Sequence, residues 1–186
     1  MSISSRHTLA LIPVFAALTA AGAFIKLPVA PVPITMQNLF VVMSGMMLGP
    51  RAGAISQVIY IIIGIMGIPV FSGGGGPGYV LSPTFGYLVG FIAASAVSGY
   101  VTEGKPFSVR NVLAGSVAGM LTIYLIGMPY LACYLKIVMK KPDAFWIAAK
   151  TGMMLFLPGD ALKCAVLAMV MPRLALLRDA IPSGRK

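Results

Sequence analysis

Thr8-Leu-Ala-Leu-Ile-Pro-Val-Phe-Ala-Ala-Leu-Thr-Ala-Ala-Gly-Ala-Phe-Ile25 is an unbroken run without a charged residue. As a helix it is long enough to cross the hydrocarbon core of a bilayer, which needs roughly 20 apolar residues. Arg6 and His7 precede it, and Ala21-Gly22-Ala23 near its end has the small-residue look of a signal-peptide cleavage site. Its length, and the further apolar runs behind it, read it instead as a retained first membrane helix. Lys26 closes it.

The rest of the chain has the same character. Of 186 residues, 59% are hydrophobic and only 10% charged, and mean hydropathy is +0.94. A soluble domain of this size must cover itself with polar side chains. This one has four acidic residues, Glu103, Asp143, Asp160 and Asp179. Lipid is the solvent that accepts so much apolar surface. The net charge of +10 does not point to nucleic acid, because the basic residues stand singly at the edges of apolar runs, where they set orientation and meet headgroups. Cys133 and Cys164 lie far apart and match no metal spacing.

Charges and prolines divide the chain into one membrane domain, 1–186, with six expected spans: 8–25, 35–48, 52–68, 84–101, 111–135 and 150–177. The last lies in an apolar stretch from Ala144 that Pro158-Gly159 interrupts or resets. The expected fold is therefore an all-α bundle of six transmembrane helices. Between the first two, Pro28, Pro31 and Pro33 forbid a helix in a segment that is still apolar. Such a segment folds back against the protein at the membrane surface. The 35–48 span is short, so it is tilted or enters from this loop. The third loop, Pro69 to Pro83, holds Gly73 to Gly76 and Gly78 and no charge. It lacks the lysine and hydroxyl spacing of a P-loop, so a lid or a close backbone approach is its better reading.

Lysines and arginines favour both termini in the cytoplasm. Arg6, Arg51, Lys105, Arg110, Arg173, Arg178, Arg185 and Lys186 fall on one side; Lys26, Lys136, Lys140, Lys141 and Lys150 fall on the other. The excess has the sign of the positive-inside rule. It puts loops 1 and 3 together on the outer face, as the lid of a small-molecule pocket would be.

Pro158-Gly-Asp-Ala-Leu-Lys163 carries the sharpest chemical signal. A charge inside a span costs on the order of 2.5–3.5 kcal/mol even on a permissive scale, so it faces a partner or a cavity. A spacing of three places Asp160 and Lys163 on one helix face. Three readings are open. The pair neutralises itself structurally; it relays protons, although no other acid lies in a span; or it offers adjacent acceptor and donor to a urea-like or cyclic amide ligand. An intramembrane enzyme would need a second catalytic group, and His7 and Glu103 both lie away from the pair, so no catalytic residue is assigned. Thr35-Met36-Gln37-Asn38 either caps the second helix or contributes polar groups at its mouth. Tyr79 and Tyr87, with Phe71 and Phe85, offer an aromatic wall. In Ala16-Ala-Leu-Thr-Ala-Ala21 small residues recur four apart on two adjacent faces, which admits another helix closely.

Together these motifs resemble the BioY family, the biotin-binding S components of energy-coupling-factor (ECF) transporters. The likeness covers nearly the whole chain. It rests on Pro31-Val-Pro-Ile-Thr-Met-Gln37, Leu48-Gly-Pro-Arg-Ala-Gly53, Pro69-Val-Phe-Ser-Gly-Gly74, Gly76-Pro-Gly-Tyr79, Ser82-Pro-Thr-Phe-Gly-Tyr87 with Gly90-Phe91, and the Pro158–Lys163 motif. The resemblance implies an S-component bundle in the cell membrane that binds biotin as cargo, with no cofactor or metal, under irregular outer loops 1 and 3. It implies that Asp160 and Lys163 hold the ureido ring, with Thr35, Gln37, Phe71, Tyr79, Thr84 and Tyr87 completing the site. It also implies that Ala16 and Ala20 dock on a transmembrane coupling subunit driven by two cytoplasmic ATPases. A scaffold of this kind for another small vitamin is the alternative. The family leads one to expect a cation near the start of the fourth helix to meet the ligand carboxylate, yet Ser82 to Phe91 contains none. That role falls to Tyr79, Tyr87, Thr84 and loop N–H groups, or to Lys26.

Overall fold

In the computed structural model, which describes residues 3–180, small polar side chains are buried between the helices and many large apolar ones face outward. Ser44, Ser56, Gln57, Ser95, Ser98 and Ser116 are fully buried, while Leu121, Leu125, Ile55 and Ile62 stand exposed. Water would oppose that arrangement and lipid favours it, because buried hydroxyls and amides find partners between helices while outward leucines meet acyl chains. Helices this apolar all round carry no stripe to say which face packs inward. Small residues and hydrogen bonds decide it.

Seven α-helices follow in order: α1 (Ile3–Phe24), α2 (Gln37–Leu48), α3 (Pro50–Ile65), α4 (Phe85–Thr102), α5 (Val109–Ile137), α6 (Ala144–Ala149) and α7 (Leu157–Ala180). A π-helical turn over Lys150–Met154 joins α6 to α7, so the last span is one interrupted helix, apolar from Ala144 to Leu174. The break comes before Pro158-Gly159, which instead lie in the first turn of α7. Proline fits there because the first turn needs no N–H from it. Four stretches are long and apolar enough to cross a membrane: His7–Phe24, Phe85–Thr102, Val109–Ile137 and Ala144–Leu174. The 12-residue α2 and 16-residue α3 are shorter than a bilayer core. They form a corner turned by Gly49, whose φ of +83° suits glycine, with Pro50 opening α3. α3 stops at Ile65 rather than 68, since Gly67 takes a φ of +109° and Pro69 follows.

The tightest helix contact is between α2 and α4. A Cβ on Gly45 would overlap the backbone carbonyl of Ser95. That close approach lets Ser44 and Ser95 hydroxyls meet at 2.8 Å and lets Ser98 donate to the Val42 carbonyl at 3.1 Å. α4 and α5 share the most extensive interface in the bundle.

Loop 1 is more ordered than its prolines suggest. Lys26–Leu27 and Ile34–Thr35 pair as a two-stranded antiparallel ladder, Lys26 opposite Thr35 (β1 and β2). Loop 3 makes a tight turn in which Phe71 and Gly74 exchange backbone hydrogen bonds, and the Gly76 N–H donates to the Gly64 carbonyl at the end of α3. A 3-10 turn, Pro77–Leu81, leads into α4. The Lys26 ammonium donates to the Ser72 carbonyl and the Tyr130 hydroxyl to that of Val80, so loops 1 and 3 share one end of the bundle. Arg185 and Lys186, counted above for orientation, lie outside the described residues.

Candidate ligand-binding site

A narrow cavity opens beneath the two loops, with about 40 Å³ of room for water-sized molecules. Loop 1 contributes Val32 and Pro33; the start of α2 contributes Gln37 and Asn38, with Thr35 just before it. Ser72 and Tyr79 come from loop 3, Thr84, Tyr87, Leu88 and Phe91 from the head of α4, and Tyr124 and Phe156 close the floor. No charged residue lines it. It adjoins a wider, open groove of about 480 Å³, within the size range of small-molecule sites, that shares Pro33, Ser72, Tyr79 and Thr84 with it and reaches Tyr134.

The Thr35 cluster does not cap α2. Met36 occupies the cap position and no side-chain cap bond forms. The Thr35 hydroxyl donates to Gln37 Oε1 at 3.1 Å, Gln37 Nε2 donates to the Tyr60 hydroxyl at 2.5 Å, and Tyr60 donates to the Val70 carbonyl at 3.1 Å. This chain links loop 1, α2, α3 and loop 3, and it fixes the orientation of the Gln37 amide. Phe71 lies behind the lining, edge-on to Tyr60 at 5.4 Å and 4.6 Å from the Tyr79 ring. Its ring supports Tyr79, whose hydroxyl accepts from Thr84 Oγ1 at 3.0 Å. Tyr87 donates to the Gly152 carbonyl at 2.9 Å across 65 positions, and a Cβ at 152 would overlap its hydroxyl. The π-helical turn thus positions Tyr87. Phe85 sits apart, tilted against Tyr130.

Asp160 and Lys163 form a 2.7 Å ion pair, and each is only 4% exposed. Neither lines the cavity. Tyr124 does, and its hydroxyl donates to the second carboxylate oxygen of Asp160. So the lining meets the pair through Tyr124. Asp160 lies in the first turn of α7, where the helix dipole favours its anion. A tyrosine that gives its proton to a carboxylate keeps its oxygen lone pairs for a donor in the cavity. Tyr124 and Phe156 carry no local sequence signal, since an aromatic residue in an apolar span is ordinarily core. Asn38 was visible in the polar cluster.

The BioY family model matches residues 1–179. The chain belongs to the BioY family. Among BioY relatives, a protein of Lysinibacillus sphaericus named a probable biotin transporter is 47% identical over 128 residues, 68% of this chain and 65% of that protein. The chain thus spans just under two thirds of that relative. A probable biotin transporter of Pyrococcus horikoshii is 39% identical over 88% of this chain and 93% of its own. The fold is also that of a crystal structure described as the S-component for biotin from an ECF-type ABC transporter. That match has a TM-score of 0.70, covers 94% of each chain and has 24% identity. This BioY chain is accordingly a multi-pass membrane protein with the S-component architecture.

The structure also turns α1. Ala16 is 4% exposed, within the core, and Ala20 is half-buried against it. A helix rotation of about 100° per residue brings the neighbouring pair, Ala17 and Ala21, to the outside. The pair named for docking therefore does not present itself freely.

Proposed function

We propose that this chain binds biotin at the outer face of the cytoplasmic membrane, as the substrate-specific subunit of an ECF-type transporter. The observation that carries this reading is an uncharged, aromatic-walled cavity whose floor is Tyr124 hydrogen-bonded to a buried Asp160–Lys163 pair. Biotin needs such a site: a ureido group with N–H donors and a carbonyl acceptor on an otherwise apolar bicyclic body. In this reading the ring system lies between Tyr87, Phe91 and Phe156. Tyr124, polarised by Asp160, accepts from the ureido N–H, and Lys163 holds the carboxylate charged and aimed at Tyr124. The amides of Gln37 and Asn38, with Thr35, complete the polar set. Tyr79 and Thr84, backed by Phe71, stand over the tail. The BioY relatives' names support the choice of biotin over other vitamins.

The same reading puts both termini in the cytoplasm and loops 1 and 3 outside, the orientation favoured by the lysine and arginine distribution. It docks the outward face of α1 on a transmembrane coupling subunit served by two ATPases. Ala17 and Ala21 make the surface of that face, and Ala16 and Ala20 support it from the bundle side. No catalytic step is assigned, and biotin is cargo rather than cofactor.

Titration calorimetry on the purified protein in detergent tests this directly. Saturable one-site binding of biotin is expected, with no heat from thiamine or riboflavin. Saturable binding of another vitamin, with none of biotin, would refute the assignment.

A further inference from the structure

The proposed ligand has a carboxylate, and the cavity has no charge to meet it. Lys163 is already neutralised by its ion pair with Asp160. Residues 25–36 and 66–84, which make the mouth, contain a single charged residue, Lys26. The other lysines assigned to this side, Lys136 in the last turn of α5, Lys140, Lys141 and Lys150, line neither the cavity nor the groove.

Lys26 does not line them either, but its ammonium is bonded to a residue that does. It crosses from loop 1 to donate to the carbonyl of Ser72 on loop 3, and Ser72 borders both the cavity and the groove. β-pairing fixes Lys26 opposite Thr35, itself in the cavity wall. The side chain is exposed, and no carboxylate of the described protein pairs with it. A carbonyl dipole is a weaker partner for an ammonium than a carboxylate is. A carboxylate emerging beside Ser72 would therefore take over the ammonium.

We infer that Lys26 is the counter-charge for the ligand's carboxylate, exchanging the Ser72 carbonyl for the anion when the site fills. This inference rests on reading the cavity as a biotin site. It makes Lys26 a determinant of specificity: free acids bind better than neutral-tailed analogues, and the preference comes from one loop residue rather than from α4.

The test uses the full-length protein in detergent, with biotin and its uncharged primary amide titrated calorimetrically at low and high salt. Wild-type protein is expected to favour biotin over the amide by up to about 5-fold, the upper end for a rim-exposed charge pair. Lys26→Met should abolish that preference by weakening biotin alone, Lys26→Arg should keep it, and high salt should shrink it. If Lys26→Met weakens both ligands equally, Lys26 is only a tie between loops and the inference fails. It also fails if Lys26→Met leaves biotin affinity unchanged. Wild-type protein that binds neither ligand would instead remove the biotin reading itself, and this inference with it.

Discussion

Replacing Asp160 by Asn, Lys163 by Met, and then both separates a structural ion pair from a ligand-reading one. Each partner is 4% exposed, and the Asp160 carboxylate accepts from Lys163 at 2.7 Å and from Tyr124. Asp160→Asn keeps the shape but leaves the ammonium buried without a counter-charge. Removing one member of a buried pair costs about 3–5 kcal/mol. For a chain of this size that lowers the unfolding midpoint by roughly 6–20 °C. Lys163→Met leaves a buried anion with Tyr124 as its remaining donor, and a loss in the same range is expected. The double variant removes both charges, so most of the stability should return, to within about 1–2 kcal/mol of wild type. Binding should not return with it. Without the carboxylate, Tyr124 loses the charged acceptor that polarises it, and charge-assisted hydrogen bonds contribute about 1.5–3 kcal/mol, or roughly 10- to 150-fold in affinity. Thermal unfolding followed by circular dichroism in detergent gives the first quantity and calorimetric titration with biotin the second. A double variant as stable as wild type that still bound biotin within about twofold would refute a recognition role for the pair.

Three further predictions concern stability. Gly45→Ala should destabilise by about 3 kcal/mol, because the new methyl meets the Ser95 backbone carbonyl rather than a side chain that can turn away. Gly78→Ala, where a Cβ meets nothing within 4 Å, should change stability by less than about 0.5 kcal/mol in the same melt. Gln57→Leu should stay within about 1 kcal/mol of wild type, although Gln57 is fully buried. Its amide donates to Ser44 at 3.1 Å and Ser56 at 3.0 Å, but both serines give their own protons to backbone carbonyls. Its Oε1 has no protein partner, so leucine strands no donor. A loss above about 3 kcal/mol would overturn that account of the polar core.

Membrane residence, the irregular loops and the Asp160–Lys163 pair were all legible in the sequence, because each is a local property. Apolar run length is set against bilayer thickness within one segment. Prolines at 28, 31 and 33 exclude a helix wherever the chain goes. A spacing of three puts two side chains on one helix face in any fold. Spacing also gave two candidate small-residue pairs on α1, and it could not say which was outside. A helix apolar all round has no amphipathic stripe, so its rotation follows from what packs against it. That is why Ala16 proved to be core and Ala17 surface.

The remaining features depend on contacts between segments far apart in the chain. The position of the ion pair behind Tyr124 joins residues 36 apart, Tyr87 is anchored 65 positions away at Gly152, and Lys26 reaches Ser72 across 46. No local rule links such positions; helix rotation and the two-stranded ladder of loop 1 bring them together. By itself the sequence determined that an acid–base pair lies within a membrane bundle whose helices are interrupted by proline- and glycine-rich loops. Only the tertiary structure decided that a tyrosine stands between that pair and the cavity, and that one loop lysine is held at the rim. The physical reason is that charge and helix phase are written residue by residue, whereas a cavity belongs to the space between elements.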